Sequence, residues 1–76
     1  MKINFSTLVR TNLGFPSEWI GFCENDNPIK ISYRIGRVKV FHNNELYDTL
    51  SLDEFDVGGY MDDKTLKTLL FKHGLL

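Results

Sequence analysis

The stretch K-I-S-Y-R-I-G-R-V-K-V, Lys30 to Val40, alternates polar and apolar residues on both sides of a single glycine. Alternation with period two is the mark of a strand with one buried face, and a glycine between two such runs supplies the positive backbone angle of a tight turn. With Ile35 and Gly36 as the two-residue loop, Tyr33 faces Val38, Ile31 faces Val40 and Ile29 faces His42. Ile29, Ile31, Tyr33, Val38 and Val40 then share one face of the hairpin. Lys30, Ser32, Arg34, Arg37, Lys39 and Phe41 share the other.

Working outward, W-I-G-F-C-E (Trp19 to Glu24) reads as a further strand, apolar on both faces, so its core side is left open. N-D-N-P (Asn25 to Pro28) is the turn that joins it to the hairpin. On the far side, H-N-N (His42 to Asn44) makes a second tight turn into E-L-Y-D-T-L (Glu45 to Leu50). S-L-D-E from Ser51 has the spacing of a helix capping box, and Gly58 and Gly59 stop anything longer than a turn or two. A helix is expected from about Asp63 to His73. Asp62 and Asp63 meet the positive end of its dipole, and Lys72 and Gly74 stand in order at its end. Leu66, Leu69, Leu70 and His73 form its stripe toward the sheet, and Leu75 and Leu76 are placed to fold back on the last turn. Residues 1–15 fit either a strand, I-N-F-S-T-L-V, or a short helix capped by Ser6 and ended by Gly14; the caps favour the helix.

The chain has 76 residues, 42% of them hydrophobic and 13% aromatic, and a formal net charge of -1. That is the composition of one folded domain near the lower size limit for an independent core. The balanced charge argues against nucleic-acid packaging while leaving room for a local basic face. Cys23 is the sole cysteine, so an intrachain disulfide and an all-cysteine zinc site are excluded. Small secreted domains usually carry several bridges, so a cytoplasmic setting is expected. Residues Met1 to Asn12 hold no signal-like apolar run, and no segment approaches the roughly 20 apolar residues of a membrane span.

The cationic stripe is the most informative functional feature. Lys30, Arg34, Arg37 and Lys39 gather four of nine cationic side chains into ten residues, and the register sets Arg34 against Arg37, an unfavourable like-charge pair. Three compensations are open: long aliphatic stems covering the sheet with their heads in water, an intramolecular acidic counterpart, or an acidic partner. Residues 43–63 contain seven acidic side chains and no basic one. Phe41 beside the cations offers an aromatic platform of the kind that single-strand binders use, but no RNA-recognition signature, G-x-x-G loop or helix-turn-helix spacing accompanies it. Asp56 and Tyr60, in the acidic segment, are not accounted for by helix capping and join the candidate contact residues.

Catalytic constellations are absent from the pattern. His42 and His73 lack metal-ligand spacing, Cys23 lies in no nucleophile motif, and Gly58-Gly59 lacks the lysine and hydroxyl residue of a phosphate loop. No cofactor and no metal are expected.

W-I-G-F (Trp19 to Phe22) followed by I-S-Y-R-I-G-R-V-K-V (Ile31 to Val40) resembles a pattern in small uncharacterised bacterial and phage proteins, a W-x-G strand and then a Y-R-x-G hairpin. There too, an acidic stretch and a short C-terminal helix follow. The similarity spans roughly residues 16 to 70. It implies the fold and brings no activity with it.

The expectation is therefore an α+β domain: an antiparallel meander of three to four strands with a C-terminal helix packed on one face. Its expected function is non-enzymatic protein binding through Lys30, Arg34, Arg37, Lys39, Phe41, Asp56 and Tyr60, with a phage or mobile-element inhibitor or adaptor as one form. Nucleic-acid binding through the same face and self-association are the alternatives.

Overall fold

The alternation from Lys30 to Val40 folds as the hairpin register requires. In the computed structural model, which describes residues 1–12, 15–52 and 60–76, β3 (Pro28–Arg34) pairs with β4 (Arg37–His42). Tyr33 lies opposite Val38, Ile31 opposite Val40 and Ile29 opposite His42. Ile35 and Gly36 both have positive φ, 50° and 73°, the backbone of the mirror-image turn that matches strand twist.

Three more strands complete a five-stranded antiparallel meander in sequence order: β1 (Ile3–Asn12) and β2 (Ser17–Cys23) before the hairpin, β5 (Glu45–Ser51) after it. The sheet is thus wider than the three to four strands expected, and residues 3–12 are strand where the capping signals favoured helix. The reason lies in a wide irregularity. Asn4 pairs with Phe22 and Val9 with Ile20, so four residues of β1, Phe5 to Leu8, stand against the single Gly21 of β2. Thr7 stabilises this bulge. Its hydroxyl accepts the Phe22 N–H at 2.9 Å and donates to the Asn4 carbonyl at 2.7 Å, replacing ladder bonds that the bulge interrupts. Ser6 caps nothing and donates instead to Asn4 Oδ1; Gly14 lies outside the described residues.

Gly21 is dictated by the same bulge. A Cβ there would stand 2.8 Å from Leu8 Cδ2 and 3.1 Å from Leu8 Cα, so β1 folds over β2 only where β2 has no side chain.

The core lies between one sheet face and α1 (Asp63–Lys72). Trp19, Cys23, Ile29, Ile31, Tyr33, Val38, Val40 and Leu50 from the sheet meet Leu66, Leu69 and Leu70 of the helix, with Met61 and Leu75 at its ends. The Asp62 carboxylate caps the helix by accepting the Thr65 N–H at 2.7 Å. At the other end Gly74 adopts φ 73°, its N–H donates to the Phe71 carbonyl, and the Leu75 N–H reaches the Leu70 carbonyl. This paired ending satisfies carbonyls that the helix leaves free and turns Leu75 back into the core. His73 departs from the expected stripe: it is the C-cap and is exposed. Ser51 closes β5; Asp53 and Glu54 of its capping-box reading lie outside the described residues. The Ile3 N–H donates to the Leu75 carbonyl at 2.7 Å, and Lys2 Nζ donates to the carbonyls of Gly74 and Leu76.

Candidate functional site

With the helix on one side, the other face of the sheet is left bare by the described residues, and strand register arranges its side chains in rows. Arg34 and Arg37 are opposed at the hairpin tip, with Ser51 beside them. The next row runs Glu18, Ser32, Lys39, Thr49. The third crosses all five strands as Val9, Ile20, Lys30, Phe41, Leu46. Phe22 and Pro28 follow at the far end. The face therefore grades from cationic at the β3–β4 tip to apolar at the opposite end.

This layout follows from the parity of each strand. Since Ile29, Ile31 and Tyr33 are buried, their neighbours Lys30, Ser32 and Arg34 must point away from the core. The same rule applied to β2 settles its open question. Ser17, Trp19 and Cys23 face inward, which sends Ile20 and Phe22 outward at 49% and 48% exposure.

Two adjoining hollows mark the face. The larger, of about 820 Å³, is lined by all four stripe cations together with Glu18 and Phe41. The smaller, about 350 Å³, is lined chiefly by Thr7, Val9, Ile20, Phe22 and Pro28. Lys30 borders both. Its ammonium lies 3.7 Å from a Glu18 carboxylate oxygen, and the Arg34 guanidinium lies 5.4 Å from the Phe15 ring centre. Among the described residues, Glu18 supplies the counter-charge seen on this face; Asp53, Glu54 and Asp56 of the later acidic segment lie outside them. Among the described lining residues the four cations face the single carboxylate of Glu18, an arrangement that favours anionic groups.

Lys30, Arg34, Arg37, Lys39 and Phe41 are thus brought together on one surface, as the register predicts. Tyr60 is placed apart from them, on the helix side, with its ring 5.2 Å from the Arg10 guanidinium. Asp56 lies outside the described residues. Four residues not singled out from the sequence belong to the same face: Val9, Ile20, Phe22 and Leu46. The signal for two of them was present, since a strand apolar on both sides has an outward face that wants cover.

A second polar cluster ties the helix start to the sheet. Arg10, paired with Trp19 across β1 and β2, stacks 4.5 Å from the Trp19 ring centre. It donates to the Met61 carbonyl and to Asp63 Oδ1, the latter at 2.9 Å. Trp19 Nε1 donates to the same Asp63 oxygen at 2.9 Å. The Trp19 hydrogen bond, reinforced by Arg10, holds the Asp63 carboxyl below its ordinary pKa of 3.8. Asp62 is also lowered, by the Thr65 groups it caps. Buried Ser17 completes the attachment by accepting the Met61 N–H at 3.0 Å. Arg10, Trp19, Asp63 and Ser17 thus join the start of α1 to β1 and β2, and the cluster is an architectural clamp.

Among the described residues no group of His, Cys, Asp and Glu is arranged to hold a metal ion, and no helix is long and apolar enough to cross a membrane. Cys23 is buried at 2% exposure, and the His42 ring packs edge-on to Tyr47 at 6.2 Å. No protein-family model, curated protein or solved structure matches the chain.

Proposed function

We propose that this protein is a non-enzymatic module that binds another protein through the bare face of its sheet. The observation that carries the reading is β2, whose outward side chains Ile20 and Phe22 are as apolar as those of a strand covered on both sides, yet half exposed. Contiguous apolar surface beside a graded set of charges is how a protein-binding patch combines desolvation with orientation. A partner surface apolar at one end and acidic at the other is its complement. Glu18 among the cations that would meet phosphate, and the aliphatic surface of Val9, Ile20 and Leu46 around the rings of Phe22 and Phe41, favour protein over nucleic acid. Burial of the Cys23 thiol keeps it from solvent and supports the non-enzymatic reading. Size and the resemblance to small bacterial and phage proteins favour an inhibitor or adaptor acting in the cytoplasm.

The test is capture from bacterial lysate at low and moderate salt, with the wild type beside Ile20→Lys/Phe22→Lys and Arg34→Glu/Arg37→Glu variants of verified folding. A defined protein held by the wild type at both salts, and lost by both variants, is the expected result. Retention of nucleic acid alone, falling steeply with salt, would replace this reading with the nucleic-acid alternative. A light-scattering mass that doubles with concentration, and is restored to monomer by Ile20→Lys, would make a second copy the partner.

A further inference from the structure

The two mirror-image turns of this sheet share a backbone and differ in chemistry. Asn43 and Asn44, between β4 and β5, have φ of 52° and 67°, and asparagine is among the few residues that tolerate this region. Ile35 adopts φ 50° at the equivalent first position of the β3–β4 turn, where a β-branched side chain crowds its own backbone. The core does not explain the choice, since Ile35 is 48% exposed. The flanking residues compound the disadvantage, as Arg34 and Arg37 stand directly opposite each other. Both unfavourable choices fall on the rim of the same 820 Å³ hollow. Strain held at an exposed position, beside a like-charge pair, points to a site kept for recognition rather than for stability.

Resting on the protein-binding reading above, we infer that the β3–β4 tip is the recognition end of the bare face: Ile35 seats against an apolar side chain of the partner while Arg34 and Arg37 take carboxylates flanking it. The occupant is a protein segment in which acidic residues bracket an aliphatic or aromatic one. Arginine suits this role because its guanidinium meets a carboxylate through two parallel hydrogen bonds. The aliphatic stems of Arg34 and Arg37 would shelter the seated side chain from water.

The experiment joins two readouts on the intact chain. Ile35→Asn gives the tip the residue type already present at Asn43, and its Tm should rise by about 4–8 °C, the shift expected when roughly one residue's strain is released in a domain of this size. Separately, a displayed library of random short peptides is selected on the wild type, and the enriched peptides are titrated against Ile35→Asn, Arg34→Glu/Arg37→Glu and Ile20→Lys. Enrichment of Asp and Glu around a central Leu, Ile or Phe, with binding weakened about tenfold or more by Ile35→Asn, supports the assignment. A lowered Tm for Ile35→Asn, enrichment of basic peptides, or failure to enrich any acidic sequence overturns it. Peptides that bind Ile35→Asn as well as wild type but lose Ile20→Lys overturn the tip and leave the face. Peptides indifferent to both variants overturn the two together.

Discussion

Trp19 and Ile20 are apolar neighbours on β2, and the sheet treats them in opposite ways. Trp19 is 2% exposed, packed under the helix, with its indole N–H given to Asp63; Ile20 looks out from the sheet beside Lys30. One face of the strand is finished within the chain, by a helix, a bulge and a clamp of hydrogen bonds. The opposite face presents Ile20 and Phe22, half exposed, and none of the described elements covers it. Hydrophobic side chains in a strand do not by themselves identify the core side; the elements that reach over them do.

If that contrast is correct, substitutions on the two faces should separate into stability effects and binding effects. The largest expected loss of stability is for Trp19→Ala, which opens a cavity at the centre of the covered face and removes the Arg10 and Asp63 partners together. Chemical denaturation should show about 3–5 kcal/mol, and a loss below about 1 kcal/mol would place the core elsewhere. Gly21→Ala comes next. The added methyl meets Leu8, including its Cα at 3.1 Å, so β1 must shift, and a destabilisation of about 1–3 kcal/mol is expected. A neutral result would mean that the bulge is not held tightly against β2.

The clamp provides a pH-dependent effect of smaller size. Because Trp19 and Arg10 favour the ionised Asp63, its folded pKa lies below 3.8. Its contribution is complete above that ordinary value and is lost as pH falls through the lowered folded pKa. Asp63→Asn should therefore be less stable than wild type at neutral pH and flatter on the acid limb, with Asp62 accounting for the slope that remains. Parallel acid limbs for the two proteins would remove Asp63 from the clamp. Smallest of all is Ile20→Ser on the bare face, expected to change stability by no more than about 0.5 kcal/mol while abolishing partner capture. A loss as large as that of Gly21→Ala would show that the two faces are not distinct in kind.

How much of this was readable in advance depended on whether each segment kept a period. From Ile29 to Val40 the alternation is unbroken on both sides of the turn, so register, buried set and turn followed directly, and with them the grouping of Lys30, Arg34, Arg37 and Lys39 with Phe41 one step further on. In β1 the pattern fails at Phe5 to Leu8, because four residues there oppose one, and the polar residues Ser6 and Thr7 that serve the bulge imitate a helix cap. For β2 the identity of the strand was legible and its orientation was not, since both parities are apolar. Arg10 carried no signal: its partners Trp19, Met61 and Asp63 are distant in sequence and meet only when β1 is a strand. The helix end, by contrast, was nearly complete in the order Lys72, His73, Gly74, Leu75, since the terminating geometry is local.

The meeting of Ile3 with Leu75, and of Lys2 with the carbonyls of Gly74 and Leu76, lies at the end of the sheet remote from Ile35. A short flexible linker could join residue 76 to residue 1, and new ends could be opened in the polar turn around Asn25, giving a circular permutant with the same sheet order. By the same geometry the domain can be inserted into an exposed loop of a carrier protein, both junctions leaving from one pole and the bare face left free.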